Sequence, residues 1–250
     1  MAGRKCADIV FLLDASGSMS PCIEAVKNNI GKLTDFFRAD GQSIWDIRLE
    51  FLAHASWRDL YHLQSHALNG LALVEAIYKP QQNFASSFFT KDIATFQAAL
   101  AGVKPQGDET TLVALDCALD LPWRPAETCH RVVICLTDEA VETGESVAFQ
   151  KEQIANLVKK IHSKRIKLYI VAPQSDAFDT LSMADRCEYE PVDGTDDGLR
   201  NTNFPRLMEA IGKSVSVSQT TSTGATAPQP LYGQERWISG SGAFGVDGGR

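Results

Sequence analysis

The stretch Ala7-Asp8-Ile9-Val10-Phe11-Leu12-Leu13-Asp14-Ala15-Ser16-Gly17-Ser18 decides how this chain folds. Its first seven residues are read as a short continuous apolar run, the pattern of a strand covered on both faces in a parallel sheet. The run stops at Asp14, and Ser16 and Ser18 follow at once. Residues 21–37 then place Ile23, Val26, Ile30, Leu33 and Phe37 at helical spacing, with Pro21 near the start where a missing N–H costs nothing. Asp14, Ser16 and Ser18 therefore stand on a tight loop between a buried strand and a helix.

The same pattern recurs downstream. Residues 131–137, Arg-Val-Val-Ile-Cys-Leu-Thr, read as a second buried strand that again ends at an aspartate, Asp138, and residues 166–172 as a third, followed by Pro173. Residues 44–53 read as a strand and residues 87–90 as a short one. Helices are expected over 92–103, with Asp92 near its N-terminus, over 112–121, bounded by Pro122, and over 147–162 and 204–217. Between His54 and Asn83 the apolar residues fit both periods in places, and that region receives no assignment. Alternating strands and helices predict an α/β fold, a Rossmann-like, doubly wound, mostly parallel sheet with helices on both faces. Its ligand site is expected in the crevice beyond the carboxyl ends of the strands.

The chain has 250 residues, 44% hydrophobic and 22% charged, which suits one folded domain with an appendage and excludes wholesale disorder. Lys+Arg 24 against Asp+Glu 31 gives a net charge of -7, without the basic footprint that binding nucleic acid demands. No run of about 18 apolar residues occurs, so no membrane span is expected. The six cysteines include no C-x-x-C pair; Cys117 and Cys135 fall in apolar runs and read as buried free thiols. The Met-Ala-Gly-Arg-Lys start lacks the apolar stretch of a secretory signal, and a reducing cytoplasm is the expected setting. The domain is placed at 5–217 and a flexible Gly/Ser/Thr-rich tail at 218–250. Within that tail Leu231, Tyr232, Trp237, Ile238 and Phe244 are too apolar for a pure spacer and read as a docking segment for a second partner or a self-contact.

Asp14, Ser16 and Ser18 present oxygen atoms only, the ligand type that hard divalent cations take. A strand end with a capping Asp or Ser would look the same, so these residues alone leave function open. Two further segments stand in order on the expected elements: Gly107-Asp108-Glu109-Thr110, and Thr137-Asp138 at the second strand end.

Together, Asp14-x-Ser16-x-Ser18, the Gly-Asp-x-Thr segment and the strand-end Thr-Asp resemble the metal-ion-dependent adhesion site of von Willebrand factor A domains, over about residues 7–217. The resemblance implies that the hydroxyls of Ser16, Ser18 and Thr110 touch a Mg²⁺ (or Mn²⁺), while Asp14 and Asp138 hold it through water or as outer acceptors. Thr111 adjoins Thr110 and stays an alternative for the threonine role. The implied partner is a protein that supplies an Asp or Glu to the metal, and the implied task is to scaffold or regulate an assembly. Small bacterial cytoplasmic members, including those resembling tellurium-resistance-type proteins, extend this to association with kinases, phosphatases or ATPases.

The competing reading is a Mg²⁺-dependent phosphoryl-transfer or hydrolytic enzyme with Asp14 as nucleophile. Against it, Ser16 stands where a D-x-D signature has its second carboxylate, and no phosphate-binding G-x-x-x-x-G-K-[ST] loop occurs. No catalytic constellation is complete, and the chain is read as a binding module rather than an enzyme. Gly240-Ser-Gly-Ala-Phe-Gly245 matches a dinucleotide fingerprint by letter only, since it lies in the tail and follows no strand. The acidic run 193–197 reads as a solvated turn. Glu139 and Glu142, close to Asp138, are candidates for tuning which carboxylate the site accepts.

Overall fold

The protein was analysed as a computed structural model that describes residues 4–39, 44–57, 60–65, 72–73, 88–144, 146–193 and 197–217. The tail with Tyr232, Trp237 and Phe244 lies outside the described residues. In chain order the elements are β1 (Arg4–Asp14), α1 (Ser20–Ala39) after a single 3-10 turn, β2 (Ile44–Trp57), β3 (Leu60–Gln64) and β4 (Ala72–Leu73). Then come α2 (Ile93–Ala101), α3 (Thr111–Leu119), β5 (His130–Leu136), α4 (Val147–Lys164), β6 (Ile166–Ala172), α5 (Asp176–Ser182), β7 (Cys187–Pro191) and α6 (Phe204–Val217).

The strands form one seven-stranded sheet in the order β4-β3-β2-β1-β5-β6-β7. β2, β1, β5, β6 and β7 run parallel, and β3 and β4 extend the β2 edge antiparallel. This is the expected doubly wound, mostly parallel architecture. β2 runs on to Trp57 past the expected stop at residue 53, and β3 falls in the unassigned stretch, where it pairs with the second half of β2. Thr90 belongs to no strand; it makes a single antiparallel bridge to Leu49.

Side chains alternate across β1 and build two cores. Ile9, Phe11 and Leu13 face α1, α2 and α6, where Val26, Ile30, Leu33, Phe96, Leu207 and Ile211 cover them. Val10 and Leu12 face α3, α4 and α5, packed with Leu112, Leu115, Leu157, Ile161 and Leu181. Both faces of β1 are therefore dry, which is why its sequence reads as a run rather than an alternation. Asp92 caps α2 by accepting from the Ala94 amide at 2.9 Å, and the buried Tyr169 and Ser214 hydroxyls, 2.7 Å apart, tie β6 to α6.

Cys6 and Cys129 form a disulfide between β1 and the residue before β5, a pairing across 123 positions that no local spacing announces. Cys117 and Cys135 are free and buried, as expected. A reducing cytoplasm keeps a bond such as Cys6–Cys129 open, so in that compartment the two residues are neighbouring thiols. Among the described residues no helix is long and apolar enough to cross a membrane.

Candidate metal centre

β1 and β5 are hydrogen-bonded neighbours, and the sheet's winding reverses beside them, so the two strand ends marked by aspartates open onto one crevice. Asp14 is the last residue of β1, and Asp138 lies just beyond the end of β5; both are fully buried. Asp14 Oδ1 accepts from the Ser16 amide at 2.6 Å, the side chain folding the following loop onto itself, and Oδ2 accepts from the Thr137 hydroxyl at 2.7 Å. With both oxygens held and no exposure, Asp14 is poorly placed to attack a substrate.

The loop is pinned from two sides. The Ala15 amide donates to the His54 carbonyl at 2.7 Å, and the Ala15 carbonyl accepts from Gln106 at 2.7 Å. The Ser16 and Ser18 hydroxyls lie 3.0 Å apart, and Ser18 donates to Asp138 Oδ1 at 3.1 Å. Asp138 Oδ2 accepts from the Gly198 amide at 2.6 Å. Gly198 has φ +66, and a Cβ there would lie 2.4 Å from the Ser18 carbonyl, so the approach of this loop to the site requires glycine. Asp14, Ser16, Ser18 and Asp138 are thus one hydrogen-bonded cluster.

Thr110 arrives on a third segment. Asp108 exchanges backbone hydrogen bonds with Ser56 at 2.7 and 2.8 Å, which carries residues 107–111 alongside β2. Gly107 allows that approach with φ +85, since a Cβ there would sit 2.2 Å from the Ser56 carbonyl. Thr110 is 1% exposed and precedes α3 without using its hydroxyl as a cap, while Thr111 is the first residue of the helix itself. Glu109, the residue before Thr110, is buried, and Glu139, Asp14 and Ser16 are among the neighbours that act on its carboxyl.

Burial drives the Asp14 carboxyl well above the ordinary carboxylate range against the pull of the Ser16 amide and Thr137 hydroxyl, and the neighbouring Asp138 adds to it. Glu109 is driven up as well, by burial first and then by Glu139 and Asp14. His54, paired with Asp14 in the β1–β2 register, brings no balancing charge: it is 1% exposed, burial lowers its pKa to about 3, and its ring nitrogens find no partner among the described residues. Among the described residues no three His, Cys, Asp or Glu side chains converge in metal-binding geometry. A cation here depends on the serine and threonine hydroxyls, with two buried carboxylates behind them. That oxygen-only donor set, crowded with negative charge, fits Mg²⁺ or Mn²⁺ and suits no soft metal.

Of the residues singled out in sequence, Asp14, Ser16, Ser18 and Asp138 share one set of hydrogen bonds, and Thr110 is buried on a separate segment just before α3. Glu142 turns away, accepting from the Ala177 amide at 3.1 Å and pairing with Lys151 at 2.9 Å, whereas Glu139 is among the groups that raise the Glu109 carboxyl. Sequence reasoning missed the parts played by Thr137, Glu109 and Gly198. Thr137 was within reach, because a strand-end Thr-Asp places its hydroxyl beside the neighbouring strand's aspartate.

No protein-family model matches the chain. Among solved structures, it is similar to a von Willebrand factor type A protein from Catenulispora acidiphila (TM-score 0.51, 14% identity, 83% of this chain and 43% of that one). It is also similar to the human COPII-coat protein Sec24c (0.54, 10% identity, 86% and 33%) and to the pilus adhesin SpaC of Lactobacillus rhamnosus GG in its open conformation (0.51, 14%, 84% and 30%). The fold is that of a von Willebrand factor A domain. In sequence, the chain is 27% identical over 236 residues to the alpha-protein kinase vwkA of Dictyostelium discoideum, a match covering 88% of this chain and 35% of the kinase. The chain thus spans less than half the length of each of these proteins.

Proposed function

We propose that this domain captures partner proteins through a divalent cation. The observation that carries the reading is the closed chain of hydrogen bonds Thr137–Asp14–Ser16–Ser18–Asp138 at the carboxyl edge of the sheet. In it the hydroxyls of Ser16, Ser18 and Thr110 hold Mg²⁺ (or Mn²⁺), and Asp14 and Asp138 act as outer acceptors that orient those hydroxyls and balance the charge. Mg²⁺ held mainly by neutral oxygens supplies an electrophilic position that accepts a carboxylate oxygen from an Asp or Glu of the partner. The domain thereby scaffolds or regulates an assembly. The match to part of an alpha-protein kinase supports phosphoryl-transfer machinery, a kinase first, as the activity it serves.

A pull-down from native lysate with wild type and Asp14→Ala, each in Mg²⁺ and in EDTA, tests this. The same protein should be retained by wild type in Mg²⁺ and lost on chelation and on mutation. A partner retained in all four conditions would overturn the metal-bridged reading.

A further inference from the structure

The amino edge of the sheet, opposite the strand-end loop, carries a second concavity. α4 ends one residue before β6 begins, and the turn after α5 leads into β7, the neighbour of β6, so the two ends meet at that edge. Between them lies a cleft of about 400 Å³, a size that takes a small organic molecule. Its apolar wall is made by Val158 on α4 and by Met183 and Ala184 beyond α5. Ala184 is buried, whereas Met183 is 85% exposed, an adaptable apolar side chain held out in water.

The polar wall is cationic: Lys159 and Arg186 line it against one carboxylate, Asp185. Lys159 is exposed and Arg186 half-buried. Burial and then Arg165 pull the Arg186 guanidinium below its ordinary value, with Asp185 opposing them. Arg165 itself has an unmet donor, since its Nη1 is buried and finds no hydrogen-bond partner among the described residues, Glu127 standing 3.9 Å away. The carbonyl end of α4 would repel an anion, but the Arg165 amide closes it by donating to the His162 and Ile161 carbonyls. On a chain of net charge -7 this is a local excess of positive charge beside an apolar wall.

We infer that this cleft binds a small amphiphilic anion, an apolar chain or ring ending in a phosphate or carboxylate. The apolar end lies against Val158, Met183 and Ala184. The head meets Lys159 and Arg186, whose planar guanidinium pairs with two oxygens at once. The site stands at the far edge of the sheet from Asp14 and holds its ligand whether or not a cation binds there.

Isothermal titration of the full chain, with every probe below its micelle concentration, tests this. Octyl phosphate or octanoate should bind one per chain, and the tighter of the two names the head group. Octanol, which lacks the charge, should bind roughly tenfold more weakly. Inorganic phosphate and acetate, which lack the chain, should bind roughly a hundredfold more weakly. Lys159→Glu and Met183→Glu change exposed side chains and keep the fold, and each should weaken anion binding by roughly tenfold, as should Arg186→Gln. Anion binding unchanged in all three variants would place the probe elsewhere and overturn the site. Octanol held as tightly as the anions, or neither anion held by wild type, would also overturn it. A dimer in sedimentation that Met183→Glu disperses, without anion uptake, would make the occupant a second copy of the chain and overturn it too.

Discussion

Asp8 and Asp14 lie six residues apart on β1, both fully buried and both on the face toward α3, yet their surroundings are opposite. Asp8 is gripped by Arg48 through Nε at 2.8 Å and Nη2 at 2.6 Å, and by Arg124 through Nε and the backbone amide, each at 2.8 Å. Burial pushes the Asp8 carboxyl up, but these two guanidinium groups overcome it and hold the group below its ordinary value. Asp14 is met by an amide, a hydroxyl and a second carboxylate, and its proton affinity rises. The amino end of the strand is neutralised by the protein's own cations and is structural. The carboxyl end gathers negative charge without an arginine or lysine among the groups that shift Asp14, which is the electrostatic signature of a place for an external cation.

The largest expected effect is at the amino end. Asp8→Ala leaves Arg48 and Arg124 facing each other in a largely buried setting and should cost about 3–5 kcal/mol in denaturant unfolding, with Mg²⁺ affinity unchanged. A loss below about 1 kcal/mol would erase the contrast between the two aspartates. Reduction of Cys6–Cys129 should cost about 2–4 kcal/mol, since the bond constrains a long loop in the unfolded chain. It lies at the same amino end, so Mg²⁺ affinity should again hold; a parallel fall would mean that the two ends of β1 are coupled.

At the carboxyl end, Mg²⁺ at a hundredfold above its Kd should stabilise wild type by about 2.7 kcal/mol. Asp14→Asn should abolish that gain and change stability in EDTA by less than about 1 kcal/mol, because an amide oxygen can still accept from Ser16 or Thr137. Thermal melts in Mg²⁺ and in EDTA read both quantities. The smallest effect is in the acid limb. Asp8 has a folded pKa below its ordinary 3.8, so its contribution is fully present above that value and is lost as pH falls through the lower folded value. Asp8→Asn should flatten stability against pH in that window alone, and an unchanged acid limb would remove Asp8 from the account.

The parts of the fold legible in sequence were those whose surroundings are uniform. β1, β5 and β6 are covered on both faces and read as apolar runs, and α1 and α4 each bury one stripe and read at helical period. β7, Cys-Glu-Tyr-Glu-Pro, is an edge strand with mostly half-buried residues and no apolar signal, and α5 is seven residues long, too short for a period to emerge. The site divides in the same way. Asp14, Ser16, Ser18 and Asp138 are visible because strand ends fix them. Glu109 is not, because its place depends on Gly107, Asp108 and Ser56 meeting across the fold. Asp8 carries no signal of its own in the sequence, since the arginines that define it come from positions 48 and 124.

The central claim is that the hydroxyls at the end of β1 turn buried acidity into a cation site. Isothermal titration of the full chain with Mg²⁺, comparing wild type with Ser16→Ala/Ser18→Ala, tests it most directly. One Mg²⁺ per chain in wild type and none in the double variant, with both folded in EDTA, is the result predicted here. Equal Mg²⁺ binding by both proteins, or none by wild type, would contradict it.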